Sequence, residues 1–108
     1  MAVNAKTELE EIWNSNLGIS LELQNDFLGS LAARLRAVAL KPNDPVNHYN
    51  LAFSYDTLNY FDAAKCHYAR AIDLEEGFTQ AHHSLATVCK KVGERDAAYK
   101  WYMRALEL

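Results

Sequence analysis

Apolar side chains recur along this chain at steps of three and four residues, the spacing of one face of an α-helix. One such stripe comprises His48, Leu51, Ala52 and Tyr55, and a second comprises Ala64, Tyr68, Ala71 and Ile72. Asn59 lies between them, and asparagine tolerates the left-handed conformation that ends many helices. The pattern therefore predicts two antiparallel helices joined by a tight turn, with alanines that let the two backbones approach closely.

The same pattern occurs again 34 residues later, with Gly93 at the place of Asn59. Ten residues are identical at this offset: His48, Leu51, Ala52, Asp62, Ala63, Ala64, Tyr68, Arg70, Ala71 and Leu74 recur as His82, Leu85, Ala86, Asp96, Ala97, Ala98, Tyr102, Arg104, Ala105 and Leu108. A single helix pair cannot bury its apolar stripe alone, so we expect the copies to stack.

These two copies resemble the tetratricopeptide repeat, whose pattern is W-x2-L-G-x2-Y, then A-x3-F and a later proline. The matching positions are His48, Leu51, Ala52, Tyr55, Ala64, Tyr68 and Ala71, and then His82, Leu85, Ala86, Cys89, Ala98, Tyr102 and Ala105. The departures are mild: His replaces Trp, Ala replaces Gly, Cys89 replaces Tyr, and Glu76 stands where the proline is usual. The resemblance implies an all-α solenoid of about three antiparallel helix pairs that form a right-handed superhelix.

The front of the chain is a weaker copy. Leu17 and Gly18 align with Leu51 and Ala52, but Arg34 falls at the core position of Tyr68. The apolar stripe Phe27, Leu31, Leu35 and Val38 is shifted by one residue, which predicts a rotated second helix. We expect Asp26, and Asp44 with Pro45, to begin helices. The predicted organisation is one domain over 1–108, with a divergent repeat at 7–40, a second at 45–78, and a third at 79–108 without a capping helix.

In the family, first helices line a concave groove that holds extended peptides or helices of partner proteins. The resemblance implies that this groove is lined by Val46, Tyr49, Phe53, Asp56 and Thr57, and by Gln80, His83, Thr87, Lys90 and Lys91. In the front repeat the lining is expected at Ile12, Ser15, Ile19, Glu22 and Leu23.

Tyr49 and Phe53 are the most distinctive residues of this predicted groove. They lie four residues apart on one helix face and would anchor an apolar side chain, since aromatic residues dominate binding hot spots. The alternative is that both pack on the neighbouring repeat. Lys90 and Lys91 would pair with acidic groups or a terminal carboxylate, or would simply form a solvated basic face.

One subtype of the family clamps the terminal carboxylates of heat-shock chaperones with Lys and Asn on its first helices. Asn50 matches one clamp residue, but the partner positions hold Tyr49, Phe53, Gln80 and Ser84. We therefore predict no tight binding to an acidic Glu-Glu-Val-Asp tail.

The last predicted helix has nothing following it to cover its apolar side. Either the chain is cut from a longer solenoid, or another chain covers this end. The second alternative predicts a surface for self-association formed by Ala98, Trp101, Tyr102, Ala105 and Leu106. The alternative for Trp101 is packing within the last helix pair. Besides a scaffold that binds a partner peptide or helix, the open alternatives are therefore a homo-oligomer and a protein that resembles bacterial secretion chaperones.

Composition and charge argue against some kinds of partner and location. The 108 residues carry a net charge of −3, which disfavours a nucleic-acid partner. Four basic and six acidic residues in 1–44, against five and three in 79–108, make the front acidic and the end basic. No apolar run is long enough for a membrane span, and two cysteines make no disulfide framework, so we expect a cytoplasmic protein.

Sequence motifs of enzymes are missing. The four glycines are dispersed, and neither a phosphate-binding loop nor a hydrolase or metalloprotease motif occurs. His82, Cys89, Cys66 and His67 match no common metal-binding spacing, and His82 and Cys89 stand at packing positions. We therefore predict a non-enzymatic protein without cofactor or metal.

Overall fold

A computed structural model describes residues 5–108, which form six helices in three antiparallel pairs. The helices are α1 (Ala5–Leu23), α2 (Phe27–Leu40), α3 (Pro45–Thr57), α4 (Phe61–Leu74), α5 (Thr79–Lys91) and α6 (Arg95–Glu107). Each odd-numbered helix packs against the helix that follows it, and the pairs stack in order along the chain. The expected all-α solenoid is confirmed.

The three turns inside the pairs contain left-handed residues at one position of the repeat. Asn25, Asn59 and Gly93 have φ values of +63°, +66° and +86°, and they stand 34 residues apart. Glycine adopts this conformation freely, and asparagine tolerates it better than most other residues. The turn predicted at Asn59 and Gly93 is confirmed, and Asn25 marks the same turn in the front pair.

Aspartates begin two of the helices, as the sequence predicts. A side-chain oxygen of Asp26 accepts a hydrogen bond from the backbone N–H of Gly29 at 2.9 Å. Asp44 accepts one from the N–H of Val46 at 2.9 Å, and Pro45 is the first helical residue of α3. These bonds satisfy backbone donors that a helix N-terminus otherwise leaves without partners.

The main core lies between the second and third pairs. Tyr68 is fully buried in α4, and the small residues Ala64 and Ala71 let the helices on either side approach it. Leu85 and Val88 of α5 complete this cluster. No helix within residues 5–108 is both long enough and apolar enough to cross a membrane.

The prediction of a rotated second helix in the front pair is wrong. Helix α2 buries Ser30, Arg34 and Ala37, which are the counterparts of Ala64, Tyr68 and Ala71 in α4. Leu35 of the predicted stripe is exposed instead. The helix keeps its register because the Arg34 guanidinium is neutralised inside the core, as described below.

Candidate functional site

The exposed sides of the first helices of the pairs form one surface. We call it the first-helix face. It consists of positions that recur at 34-residue steps: Ile12, Val46 and Gln80; Ser15, Tyr49 and His83; Ile19, Phe53 and Thr87; Glu22, Asp56 and Lys90; Leu23, Thr57 and Lys91. These are the residues assigned to the groove from the sequence, and they stand in rows that run across α1, α3 and α5.

The two aromatic residues of α3 differ in their surroundings. The Tyr49 ring is half-buried, with its centroid 5.1 Å from the ring of Phe78 and 5.6 Å from that of Tyr68. Its hydroxyl lies 3.5 Å from the Ser84 hydroxyl of α5. Phe53 is 43% exposed. Tyr49 thus joins neighbouring pairs, whereas Phe53 presents its ring to solvent.

An ion pair joins the carboxyl ends of α3 and α5. The Lys91 ammonium donates to the Asp56 carboxylate at 2.9 Å and lies 5.6 Å above the centroid of the Phe61 ring. The Tyr68 hydroxyl donates to the other Asp56 oxygen at 3.3 Å. Burial, together with the Asp56 charge, raises the pKa of Tyr68, so the hydroxyl stays protonated and remains a donor.

The remaining residues of the face on α5 are more open. Lys90 is exposed and makes no ion pair with any described residue. The His83 ring meets the Tyr102 ring edge-on at 5.4 Å, and the Thr87 hydroxyl lies 3.1 Å from the Tyr102 hydroxyl. Lys90 is therefore available to an acidic group, and Lys91 is already paired within the chain.

A buried polar cluster lies beneath the front of the face. The Arg34 guanidinium donates to the Glu22 carboxylate at 2.6 Å, to the Asn50 carbonyl at 2.9 Å and to the Ser54 hydroxyl at 3.0 Å. Its carbon lies 5.8 Å from the centroid of the Phe53 ring. Nothing in the sequence alone pointed to this cluster. Its one signal is that Glu22 and Arg34 align with Asp56 and Tyr68, whose side chains are also hydrogen-bonded to each other.

The C-terminal surface proposed for self-association is only partly exposed. Ala98 is buried in the core, because its small side chain lets α6 approach α5. Trp101 is half-buried against the His82 ring, with the two centroids 5.7 Å apart, which fits the alternative of packing within the pair. Tyr102, Ala105 and Leu106 line an open groove of about 550 Å³ together with Tyr49, Thr79, Gln80, His83 and Ser84.

Two histidines form a hydrogen-bonded pair between α3 and α4. The His48 Nε2 lies 2.7 Å from the Pro42 carbonyl, which only accepts, so this nitrogen carries the proton. In the neutral His48 ring, Nδ1 then accepts from the His67 Nδ1 at 3.2 Å. Burial, and secondarily His48, lowers the pKa of His67.

Metal ligands are not gathered anywhere in the described part of the chain. Residues 5–108 contain no group of three or more His, Cys, Asp and Glu side chains placed to hold an ion. His82 donates its Nε2 proton to the Glu76 carbonyl at 2.9 Å, Cys89 is buried and Cys66 is exposed.

Comparisons with known proteins agree with this geometry. The sequence model of the family described as "Tetratricopeptide repeat" matches residues 47–78 and 79–108. A search of curated proteins gave no significant match.

Solved structures with the same architecture are numerous. A crystal structure of MamA is 28% identical, with a TM-score of 0.86 over 90% of this chain and 57% of that one, so the chain spans little more than half of MamA. The second TPR domain of Spaghetti (RPAP3), bound to the HSP90 peptide SRMEEVD, is 16% identical with a TM-score of 0.88 over 97% and 99%. The TPR2B domain of yeast Sti1, in a complex with pHsp70, is 21% identical with a TM-score of 0.87 over 90% and 78%.

Proposed function

Because the chain belongs to the tetratricopeptide repeat family, we propose that it is a scaffold that binds a segment of another protein on the first-helix face of α3 and α5. The observation that carries this proposal is the exposed ring of Phe53, held on a rigid helix beside a second exposed helix face. The peptide complexes of the Spaghetti and Sti1 domains support a protein as the partner.

Contacts between the two helices support binding. The Asp56–Lys91 ion pair joins the carboxyl ends of α3 and α5, and Tyr49 contacts Ser84 near the middle of both helices. A face that is already ordered loses little conformational entropy when a partner docks, so more of the contact energy appears as affinity.

The chemistry of the face indicates the kind of segment it binds. Val46 and Phe53 offer exposed apolar surface on α3, whereas Gln80, His83 and Lys90 offer polar groups on α5. We propose that the partner supplies an apolar side chain to Phe53 and hydrogen-bonding or acidic groups to α5. A location in the cytoplasm is proposed as well, and the two unpaired thiols support it.

A displayed library of random peptides, selected against the purified chain, tests this proposal. The enriched peptides are synthesised with a fluorophore, and their dissociation constants are measured by anisotropy. Phe53→Ala should weaken binding by about 30-fold, the loss expected when a hot-spot aromatic is removed.

The matched control is Tyr99→Ala, which removes a ring that is 69% exposed on the second helix of the last pair. It should leave the dissociation constants unchanged. Peptides that bind Phe53→Ala and the parent chain equally well would place the binding site elsewhere and refute the proposal.

A further inference from the structure

The front helix buries two polar side chains and exposes several large apolar ones. Its side against α2 buries Glu11, Asn14 and Gly18. Asn14 is held there, since its amide donates to the Glu10 carbonyl at 2.9 Å and its oxygen accepts from Arg36 at 3.0 Å. Five large apolar side chains of α1 are exposed on the other sides of the helix.

These outward side chains form one continuous stripe. We call it the α1 stripe. It consists of Leu9, Ile12, Trp13, Asn16, Ile19 and Leu23, and its five apolar members are between 48% and 82% exposed. The steps from Leu9 through Ile12, Asn16 and Ile19 to Leu23 are three, four, three and four residues, which is the a/d spacing of a two-helix coiled coil.

From this arrangement we infer that α1 pairs with α1 of a second copy of the chain to form a homodimer. Asn16 stands at the centre of the stripe, seven residues from Leu9 and seven from Leu23. In a parallel pair the two-fold axis runs along the helices, so each a position meets its own copy and the two Asn16 side chains come together. A carboxamide is both donor and acceptor, so Asn16 is satisfied by its own copy, and a single Asn at an a position fixes the register of such pairs.

Charge and area are consistent with a second copy as the occupant. Glu22 flanks the α1 stripe, but its carboxylate is already neutralised by Arg34 at 2.6 Å, so it does not repel its copy. At roughly 100 Å² of exposed surface for each apolar side chain, complete burial of the stripe would remove on the order of 500 Å² per copy, or about 1,000 Å² per dimer, the lower limit for a specific interface. The pairing uses the α1 part of the first-helix face, whereas the partner proposed above contacts its α3 and α5 part.

Sedimentation equilibrium between micromolar and millimolar concentration tests the inference. The mass should rise from 12.2 kDa toward twice that value. Leu23→Ser should weaken the dimer at least ~10-fold, because each dimer loses two buried leucines. The matched control is Leu106→Ser on α6, which changes a leucine of nearly equal exposure, 80% against 82%, and should have no effect.

Asn16→Leu gives the opposite change, since it replaces the one polar layer of the stripe by an apolar one. It should strengthen the dimer at least ~10-fold. A monomer over the whole concentration range would overturn the inference. So would a dimer that Leu106→Ser disrupts and Leu23→Ser does not, because the interface would then be the C-terminal surface.

Disulfide trapping keeps the test decisive if a variant folds poorly. In a Cys66→Ser background, Asn16→Cys should form a covalent dimer under mild oxidation, because a two-fold axis brings position 16 to its own copy. Asn43→Cys, in the exposed loop before α3, is the control and should not. Equal trapping at both positions would refute the pairing, and circular dichroism verifies the fold of every variant.

Discussion

The buried pair of Arg34 and Glu22 makes the front of the solenoid sensitive to a change of one atom in a side chain. Burial lowers the pKa of Arg34 from its usual value and the Glu22 carboxylate opposes this, but a guanidinium stays charged in either case. In Glu22→Gln the positive charge therefore remains in the core without a counterion. The Gln side chain still offers one acceptor oxygen to the guanidinium.

The cost follows from the burial of the two side chains, of which 6% and 18% are exposed. Removing one partner of a fully buried pair costs about 3–5 kcal/mol. Because Glu22 is partly exposed and Gln keeps one hydrogen bond, we expect Glu22→Gln to lower the free energy of unfolding by about 2–3 kcal/mol. That loss should lower the melting temperature by about 10 °C.

Urea unfolding followed by circular dichroism at 222 nm measures this change. The control is Glu107→Gln, which removes the carboxylate of an exposed pair whose closest atoms are 3.9 Å apart. It should change the free energy by less than about 0.5 kcal/mol. Equal stabilities of the two variants would show that the Arg34–Glu22 contact does not hold the first pair in place.

Further predictions concern protons, thiols and peptides. The pKa of His67 in the folded chain lies below its usual value of 6.5, so the unfolded chain binds more protons at pH values between the folded pKa and 6.5. The free energy of unfolding should therefore fall as the pH falls through this window. Urea titrations at several pH values should show this dependence in the parent chain and a weaker one in His67→Gln. Burial raises the pKa of the Cys89 thiol, so a maleimide should label exposed Cys66 in seconds and leave Cys89 unlabelled until urea is added, as mass spectrometry would record. Calorimetry with the peptide SRMEEVD should give no low-micromolar affinity, because Tyr49 and Phe53 stand where a carboxylate clamp needs amides and ammonium groups; a low-micromolar dissociation constant would contradict this.

The sequence predicted the helices and turns because their signals are local. Asn59 and Gly93 interrupt periodic stripes, and Asp26 and Asp44 stand at helix starts. The burial of Tyr68 was also predictable, since Tyr68 lies on the apolar stripe of its helix and recurs as Tyr102 in the next copy. Each of these inferences needs only the spacing of neighbouring residues and no knowledge of how distant helices meet.

The parts that could not be predicted depend on contacts between helices. The ring of Phe78 covers much of Tyr49, and Phe78 lies in the loop before α5, outside the helical pattern of α3. Ile12, Ile19 and Leu23 of the α1 stripe were expected on the groove face, but the burial of Asn14 was not, since it depends on the hydrogen bond from Arg36 of α2. Hydrophobic patterning assumes that polar residues face water, and it fails wherever a polar side chain finds a buried partner.

One position of the repeat shows why the front pair keeps the fold while losing the family's sequence pattern. Tyr68 is covered by α5 and donates to Asp56 at 3.3 Å. Arg34, at the same position one repeat earlier, reaches Glu22, the counterpart of Asp56, at 2.6 Å. Both side chains are long, fill the space between pairs, and donate to a carboxylate at the end of the preceding helix. A long side chain that donates to a carboxylate thus occupies this position in both pairs, and the front pair stacks in register even though the family model matches only 47–78 and 79–108.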